Sequence, residues 1–360
     1  MNVVWYAEEL FACGWLRGIL PASVLNAAGR VRVDVKCDAL WCDLPGCDVA
    51  VFQRSWGAGL MARQAVAASA GVATVYDLDD ALFDVPTAHP RAHELYARGD
   101  VRGAIETMLK RADLVTVSTP ELAEYVRKRL GDEAPELVVV PNGVHTELWD
   151  SECWARQVAK AGGSGERVTI GWHASHAHKA DAPLVGAALA EIMGEFPGVR
   201  LRVIGPLGLQ DFGAELAAVP GVAERFESEA WAGPAELPAR LAGVDIGLAP
   251  LGESVFNRCK SAVKWMEYGA LAVPCVASDR RPYRGVVRNG ETGFLAGDEP
   301  GEWRAALRLL VRHEEMRRRM GAAARLEVGA RHSVRHAAVQ WEAALRRARA
   351  RADGRTGKGT

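Results

Sequence analysis

The 360-residue sequence contains no apolar run approaching the roughly 18 residues that a membrane-spanning helix requires. Its first residues, Met1–Phe11, have no basic stretch and place Glu8 and Glu9 where a secretory leader would be apolar, so a cytoplasmic protein is expected. Cysteine is sparse: seven residues, at 13, 37, 42, 47, 153, 259 and 275. Only Cys37, Cys42 and Cys47 cluster, and spacing by fives is not the paired pattern of zinc sites. Free thiols in a reducing compartment are therefore expected, without a disulfide framework or a metal. No G-x-G-x-x-G opens the helix after the first strand, which removes a dinucleotide fingerprint. Cys259-Lys260-Ser261 has the K-S of a phosphate loop without its glycines, and neither G-x-S-x-G nor H-E-x-x-H occurs.

What is present is a globular composition, 49% hydrophobic and 25% charged, long enough for two domains with their own cores. The net charge of −1 hides an asymmetry. Residues 301–360 hold fourteen Arg and one Lys against five Glu and one Asp, a balance of +9, leaving −10 in the first 300. Such a tail is either a solvated Arg-rich helix or a contact for an anionic surface such as lipid headgroups, which would put the protein at the inner membrane face. Nucleic acid is not expected.

Short β-rich runs alternate with helical periodicity, predicting parallel sheets with crossover helices. Strands are expected at 2–6, 31–35, 49–52, 74–76, 114–117 and 137–140, with helices at 16–28, 58–70 and 120–130. Residues 151–166, ending in Gly162-Gly163-Ser164-Gly165, read as a linker. A second series follows, with strands at 168–172, 200–204, 246–249 and 273–277, and helices at 182–196, 236–241 and 261–271. The pattern over 302–349 is helical, with a break expected near Gly329. The chain thus divides into an N-terminal doubly wound domain (1–150), a linker (151–166), a second doubly wound domain (167–330), a last helix crossing back (331–349) and a disordered tail (350–360). The site is expected in a crevice between the domains.

Three strand-end stretches can carry chemistry. In Asp245–Ser278 a helix is expected from about Lys260, placing Lys260, Lys264 and Glu267 on one face at i, i+4 and i+7. Lysines and free N–H groups there would meet a phosphate, and Glu267 could accept from ribose hydroxyls; a plain solvated Lys–Glu face is the alternative. In Ile170–Asp181, His173, His176, His178 and Lys179 would donate to a diphosphate, be ordinary loop residues, or ligate a metal, although their spacing fits no zinc pattern. In Thr74–Asp84, Asp77, Asp79 and Asp80 could hold a divalent ion, orient hydroxyls or act as a base, or one could cap a helix. Gly14 and Arg17, in G-x-x-R after the first strand, suggest a close backbone approach and an anion contact.

Together these residues resemble the GT-B-fold glycosyltransferases of the retaining group called glycosyltransferase family 4. The resemblance covers about residues 2–345 and rests on Val139–Val144, Ile170-Gly171-Trp172, Val203-Ile204-Gly205, Asp245–Pro250 and the run from Glu267 to Pro274. It implies two Rossmann-like domains facing across a cleft and a UDP- or GDP-sugar as co-substrate. No tightly bound cofactor and no metal are implied. The acceptor would be a glycan, a lipid-linked sugar, a protein or a small molecule. Glu267 matches the second glutamate of the family's E-x7-E motif, which binds the donor ribose, and Lys179 the lysine of its diphosphate loop. Ser261 falls where backbone amides meet the β-phosphate, and Asn257, Arg258, Lys260 and Lys264 extend that donor-binding set with His173, Gly14 and Arg17. Three positions depart from the family: Trp172 replaces a diphosphate-binding Arg, Cys259 replaces the first glutamate, and Asp77 replaces a common His. Asp77, Lys179 and Lys260 are the expected catalytic residues. A catalytically silent scaffold and a sugar-nucleotide epimerase of the same fold are the rival readings.

Overall fold

A computed structural model of the protein describes residues 1–38, 43–150 and 167–355. The expected linker at 151–166 lies outside the described residues, as do Cys42, Cys153 and residues 356–360. The chain divides into two compact units: Met1–Gly143 with Cys259–Ser261 and Ser333–Thr360, and Val144–Arg258 with Ala262–His332.

The first unit is built on six parallel strands: β1 (Asn2–Tyr6), β2 (Arg32–Lys36), β3 (Val49–Gln53), β4 (Ala73–Leu78), β5 (Leu114–Val117) and β6 (Leu137–Val139). Their order is β2-β1-β3-β4-β5-β6. Crossover helices cover both faces of such a sheet, so β3 and β4 are buried at every position and are mostly apolar, with Gln53, Thr74 and Asp77 as buried polar exceptions. The helices are α1 (Leu20–Ala28), α2 (Ala58–Ser69), α3 (Pro90–Ala97), α4 (Gly99–Arg111) and α5 (Pro120–Leu130). The ends of α5 show why it forms there. The Thr119 hydroxyl accepts from the Leu122 amide, Pro120 fills the first turn, and Arg127, Lys128 and Arg129 face the negative end of the dipole.

The C-terminal helix Val334–Arg355 also belongs to this unit. Trp341, Leu345, Ala348 and Ala352 recur at helical spacing and are fully buried, with Trp341 edge-on to Trp5 at 4.6 Å. The helix runs to Arg355, so residues 350–355 are ordered helix rather than the tail expected there. Its arginines are not a bare basic stripe. Arg347 and Arg351 meet Glu136, Arg355 meets Asp113, Arg349 meets Asp353 and Arg346 meets Glu342.

The second unit repeats the principle with β7 (Val168–His173), β8 (Val199–Ile204), β9 (Phe226–Glu229), β10 (Ile246–Ala249), β11 (Cys275–Ser278) and β12 (Phe294–Ala296), all parallel. The order β12-β11-β10-β7-β8-β9 is that of a Rossmann sheet, reversing direction between β7 and β10. Its helices are α6 (Pro183–Glu195), α7 (Leu237–Leu241), α8 (Val255–Arg258), α9 (Val263–Ala270), α10 (Pro300–Arg312) and α11 (Glu314–Arg331). The C-terminal helices break at His313 and at His332–Ser333, and α11 runs straight through Gly329, where a break was expected. No helix among the described residues is long and apolar enough to cross a membrane.

Candidate functional site

In open α/β sheets ligands lie beyond the carboxyl ends of the strands, where the strand order reverses. In the second unit that point is between β7, which ends in His173, and β10. Helix α9 follows β10 and carries Lys264 and Glu267 one turn apart.

Glu267 is 8% exposed, and its Oε2 lies 3.0 Å from His173 Nε2. Burial pulls the His173 pKa below its usual value although Glu267 pulls the other way, so the ring is neutral at pH 7. Lys264 Nζ lies 3.1 Å from His178 Nε2, and His178 Nδ1 lies 2.8 Å from Asp181 Oδ2. An ammonium only donates, so His178 accepts at Nε2 and carries its proton on Nδ1. The other Asp181 oxygen accepts from the Gly252 amide at 2.8 Å, tying this chain to the loop after β10. Two of the three flagged histidines thus grip the two charged residues of α9. His176 is exposed, and no metal-ligating trio of histidines forms among the described residues.

The packing beneath explains three of the motif positions. The Tyr268 hydroxyl donates to the carbonyls of Gly171 at 3.1 Å and Leu248 at 3.2 Å. A Cβ on Gly247 would stand 2.6 Å from the Tyr268 ring, and one on Gly171 2.4 Å from Val244. The glycines are there for close approach within the core. Trp172, at the position of the family's Arg, is fully buried and edge-on to Phe212, so it contributes no charge to the site.

The remaining donor-set residues are more dispersed than their spacing predicts. Lys179 is largely exposed and pairs with Asp211 at 2.9 Å. The Asn257 amide donates to the Gly252 carbonyl, and exposed Arg258 lies 3.5 Å from Glu253. Lys260 does not share the α9 face, because α9 starts at Val263 and the Cys259–Ser261 segment groups with the first unit. There Thr119 donates to the Cys259 carbonyl, Asn142 donates to the Ser261 hydroxyl at 2.8 Å, and Lys260 Nζ lies 3.4 Å from Asp80. The three side chains expected in one row are therefore a Lys–Glu pair plus a lysine held elsewhere.

In the first unit the sheet reverses between β1 and β3, and a polar cluster sits at those strand ends. Arg54, one residue beyond β3, adopts a left-handed backbone at φ 49°, uncommon for a side chain of its size. Its guanidinium reaches Glu8 at 3.1 Å, Tyr96 Oη at 3.1 Å, Cys13 Sγ at 3.0 Å, Asp80 at 3.5 Å and Asp79 at 3.7 Å. Tyr96 donates in turn to Glu8 at 2.9 Å. Burial, with the neighbouring Asp80 charge, pushes the Asp79 pKa up to about 6. Burial also acts on Asp80, but Lys260 and Arg54 outweigh it and hold that carboxyl below its usual range. Cys13, Asp79 and Asp80 lie within metal-chelating reach of one another, yet Arg54 already supplies the positive charge among them. Burial keeps Cys13 a thiol. Neither aspartate caps a helix: the short turn that follows, Leu82–Asp84, has no side-chain cap.

Asp77 and Arg17, expected as a catalytic and an anion-binding residue, are paired with each other. Both are fully buried. Arg17 bonds the two Asp77 oxygens at 2.7 and 3.2 Å, the Val140 carbonyl and Asn142 Oδ1, and its guanidinium stands 4.8 Å from the Trp341 ring centre. Thr116 satisfies Asp77 further at 2.7 Å. Gly14 is close to backbone, but to its own chain: a Cβ would fall 1.6 Å from the Glu9 carbonyl oxygen.

Residues 12–143 match the family described as glycosyl transferase 4-like domain, and residues 184–343 match that described as glycosyl transferase-like. The chain is 24% identical over 256 residues to TuaH of Bacillus subtilis (strain 168), a protein whose name assigns it to teichuronic acid biosynthesis as a glycosyltransferase. That match covers 68% of this chain and 61% of TuaH, so the chain spans less than two thirds of its curated relative. Among solved structures, sucrose-phosphate synthase from Thermosynechococcus elongatus is similar at a TM-score of 0.65 and 16% identity, over 96% of this chain and 98% of that one. Anabaena Alr3699/HepE, solved in complex with UDP, is similar at a TM-score of 0.65 and 15% identity, over 96% and 99%. With two doubly wound parallel sheets, and a family match on each, the chain belongs to the glycosyltransferases of the group 1 type, with the GT-B fold.

Proposed function

We propose that the protein transfers a sugar from a UDP- or GDP-sugar to an acceptor hydroxyl with retention of anomeric configuration, as in glycosyltransferase family 4. The observation that carries this reading is Glu267, a nearly buried carboxylate at the reversal point of the second sheet, in a chain whose two units both match glycosyltransferase families. HepE has been solved with UDP, with UDP and glucose, and with UDP-glucose, which favours a uridine donor. In this reading Glu267 accepts from the ribose hydroxyls, while Lys264 and Lys179 exchange their present partners, His178 and Asp211, for the diphosphate. Those two lysines supply the charge stabilisation of the leaving group in this reading, without a resident metal.

The acceptor is assigned to the first unit, at the Glu8–Arg54–Asp79–Asp80 cluster. Three carboxylates against Arg54 and Lys260 suit a neutral sugar hydroxyl better than an anionic group. The test is a panel of UDP-, GDP- and dTDP-sugars with simple glycoside acceptors, the product linkage being read by NMR. Transfer with an α-linked product from an α-donor supports the reading. Absence of binding and of turnover with every donor refutes it, and epimerised donor without transfer supports the epimerase instead.

A further inference from the structure

Glu267 can bind a nucleotide only if its carboxyl group is held facing the right way, and α9 alone does not do that. A glutamate has three side-chain torsions, and an unrestrained one loses that freedom on binding. The side chain is 11% exposed, and its Oε2 is buried. His173 Nε2 stands 3.0 Å from that oxygen, and neither buried atom has an aligned hydrogen-bond partner among the described residues. A carboxylate can only accept, so a hydrogen bond between the two takes the imidazole proton on Nε2, which the neutral ring can carry. The ring itself is placed by the strand end of β7 and by Tyr268, against which it stands edge-on at 5.5 Å. Tyr268 is pinned by its two hydroxyl bonds to Gly171 and Leu248. The contact is short but off-line as a hydrogen bond, which leaves Oε2 under-satisfied until a ligand settles the carboxyl.

We infer that His173 is a positioning residue: through its Nε2–H it fixes the Glu267 carboxyl in the orientation that receives the two ribose hydroxyls of a nucleoside diphosphate. The inference rests on the reading of Glu267 as the ribose-binding group. It accounts for a polar ring at a strand end otherwise filled by apolar residues, and for a buried glutamate oxygen without a hydrogen-bond partner.

The test separates orientation from folding by deleting the hydroxyls instead of only the histidine. Calorimetry measures UDP and GDP binding to the full chain, and then the 2′,3′-dideoxy form of whichever binds. Wild type is expected to prefer the ribo form at least tenfold. His173→Ala should reduce that preference to within about threefold while leaving affinity for the dideoxy form within about twofold. His173→Gln, which restores a neutral N–H donor, should recover most of the preference, and it keeps the test open if the alanine variant does not fold. Equal weakening of both forms by His173→Ala, or an unchanged preference, overturns the positioning role. A wild type that binds nucleotide without distinguishing the two forms, or binds none, instead overturns the reading of Glu267 on which this inference stands, and the inference with it.

Discussion

Changing Asp77 to Asn tests whether the first unit is held together by its buried ion pair or uses that carboxylate for chemistry. The substitution keeps the side-chain shape and removes one charge. Arg17 is then left fully buried with three neutral acceptors, the Val140 and Asn142 oxygens and the new amide oxygen, and the Trp341 face. Removing one member of a buried pair costs about 3–5 kcal/mol, because the surviving charge loses its compensation. The retained amide contact puts Asp77→Asn at the lower end, about 3 kcal/mol, which for a unit of this size lowers its melting temperature by roughly 6–12 °C. The pair Arg17→Met with Asp77→Leu should cost less than either change alone, since both desolvated charges disappear together. Urea titration and thermal melting followed by circular dichroism measure this, with UDP affinity recorded below the transition. A structural pair predicts a large stability loss with nucleotide affinity intact. Unchanged melting together with abolished transfer would refute the reasoning and return Asp77 to the catalytic machinery.

Asp79, whose pKa rises from 3.8 to about 6 on folding, binds more protons in the native than in the unfolded state between those values. Stability therefore falls as pH rises through that window, by up to about 3 kcal/mol, and Asp79→Asn should flatten the slope in urea melts at pH 4 to 7. The lowered Asp80 acts with the opposite sign at more acid pH. Since the last helix pairs its arginines with Glu136, Asp113, Glu342 and Asp353, the protein should sediment little with phosphatidylserine vesicles at 0.15 M salt. Firm sedimentation would show those arginines to be available. Gly247→Ala should destabilise the second unit by about 1–3 kcal/mol through the Tyr268 ring, whereas Gly194→Ala on α6, with open space around it, should be neutral or stabilising by up to about 1 kcal/mol. Equal effects would show that the Tyr268 contact carries no strain.

The central strands were legible because a parallel sheet covered on both faces writes its strands as short apolar runs. Those at 2–6, 114–117 and 246–249 were located to the residue. The edge strands β9 and β12 were missed for the same reason inverted: Phe226–Glu229 has three polar residues of four and Phe294–Ala296 has only three residues. Helices α3 and α4 were missed because residues 90–111 are polar enough to mask the period, although Val101, Ile105 and Met108 are buried. At the site, Glu267 and His173 were each singled out, but their contact joins the end of β7 to helix α9, far apart in the chain, and no spacing announces it. Glu8, Arg54 and Tyr96 were not read as site residues. A signal existed, since Glu8 and Arg54 each lie just beyond a strand, but only the order β2-β1-β3 makes those strands neighbours, and a sequence does not state strand order.

The misplaced residues share a cause. Lys260 was put on α9 by counting helical turns, and Asp77 with Arg17 was put at a ligand because charged residues at strand ends commonly meet one. In each case a neighbouring partner takes the charge first: Asp80 for Lys260, and Arg17 for Asp77. A charge buried with such a partner stabilises or orders the fold and has little left for a substrate, whereas the contact recorded for Glu267 is with a neutral imidazole. That difference, more than membership of any motif, is why we propose Glu267 as the carboxylate that receives hydroxyl donors from outside the chain.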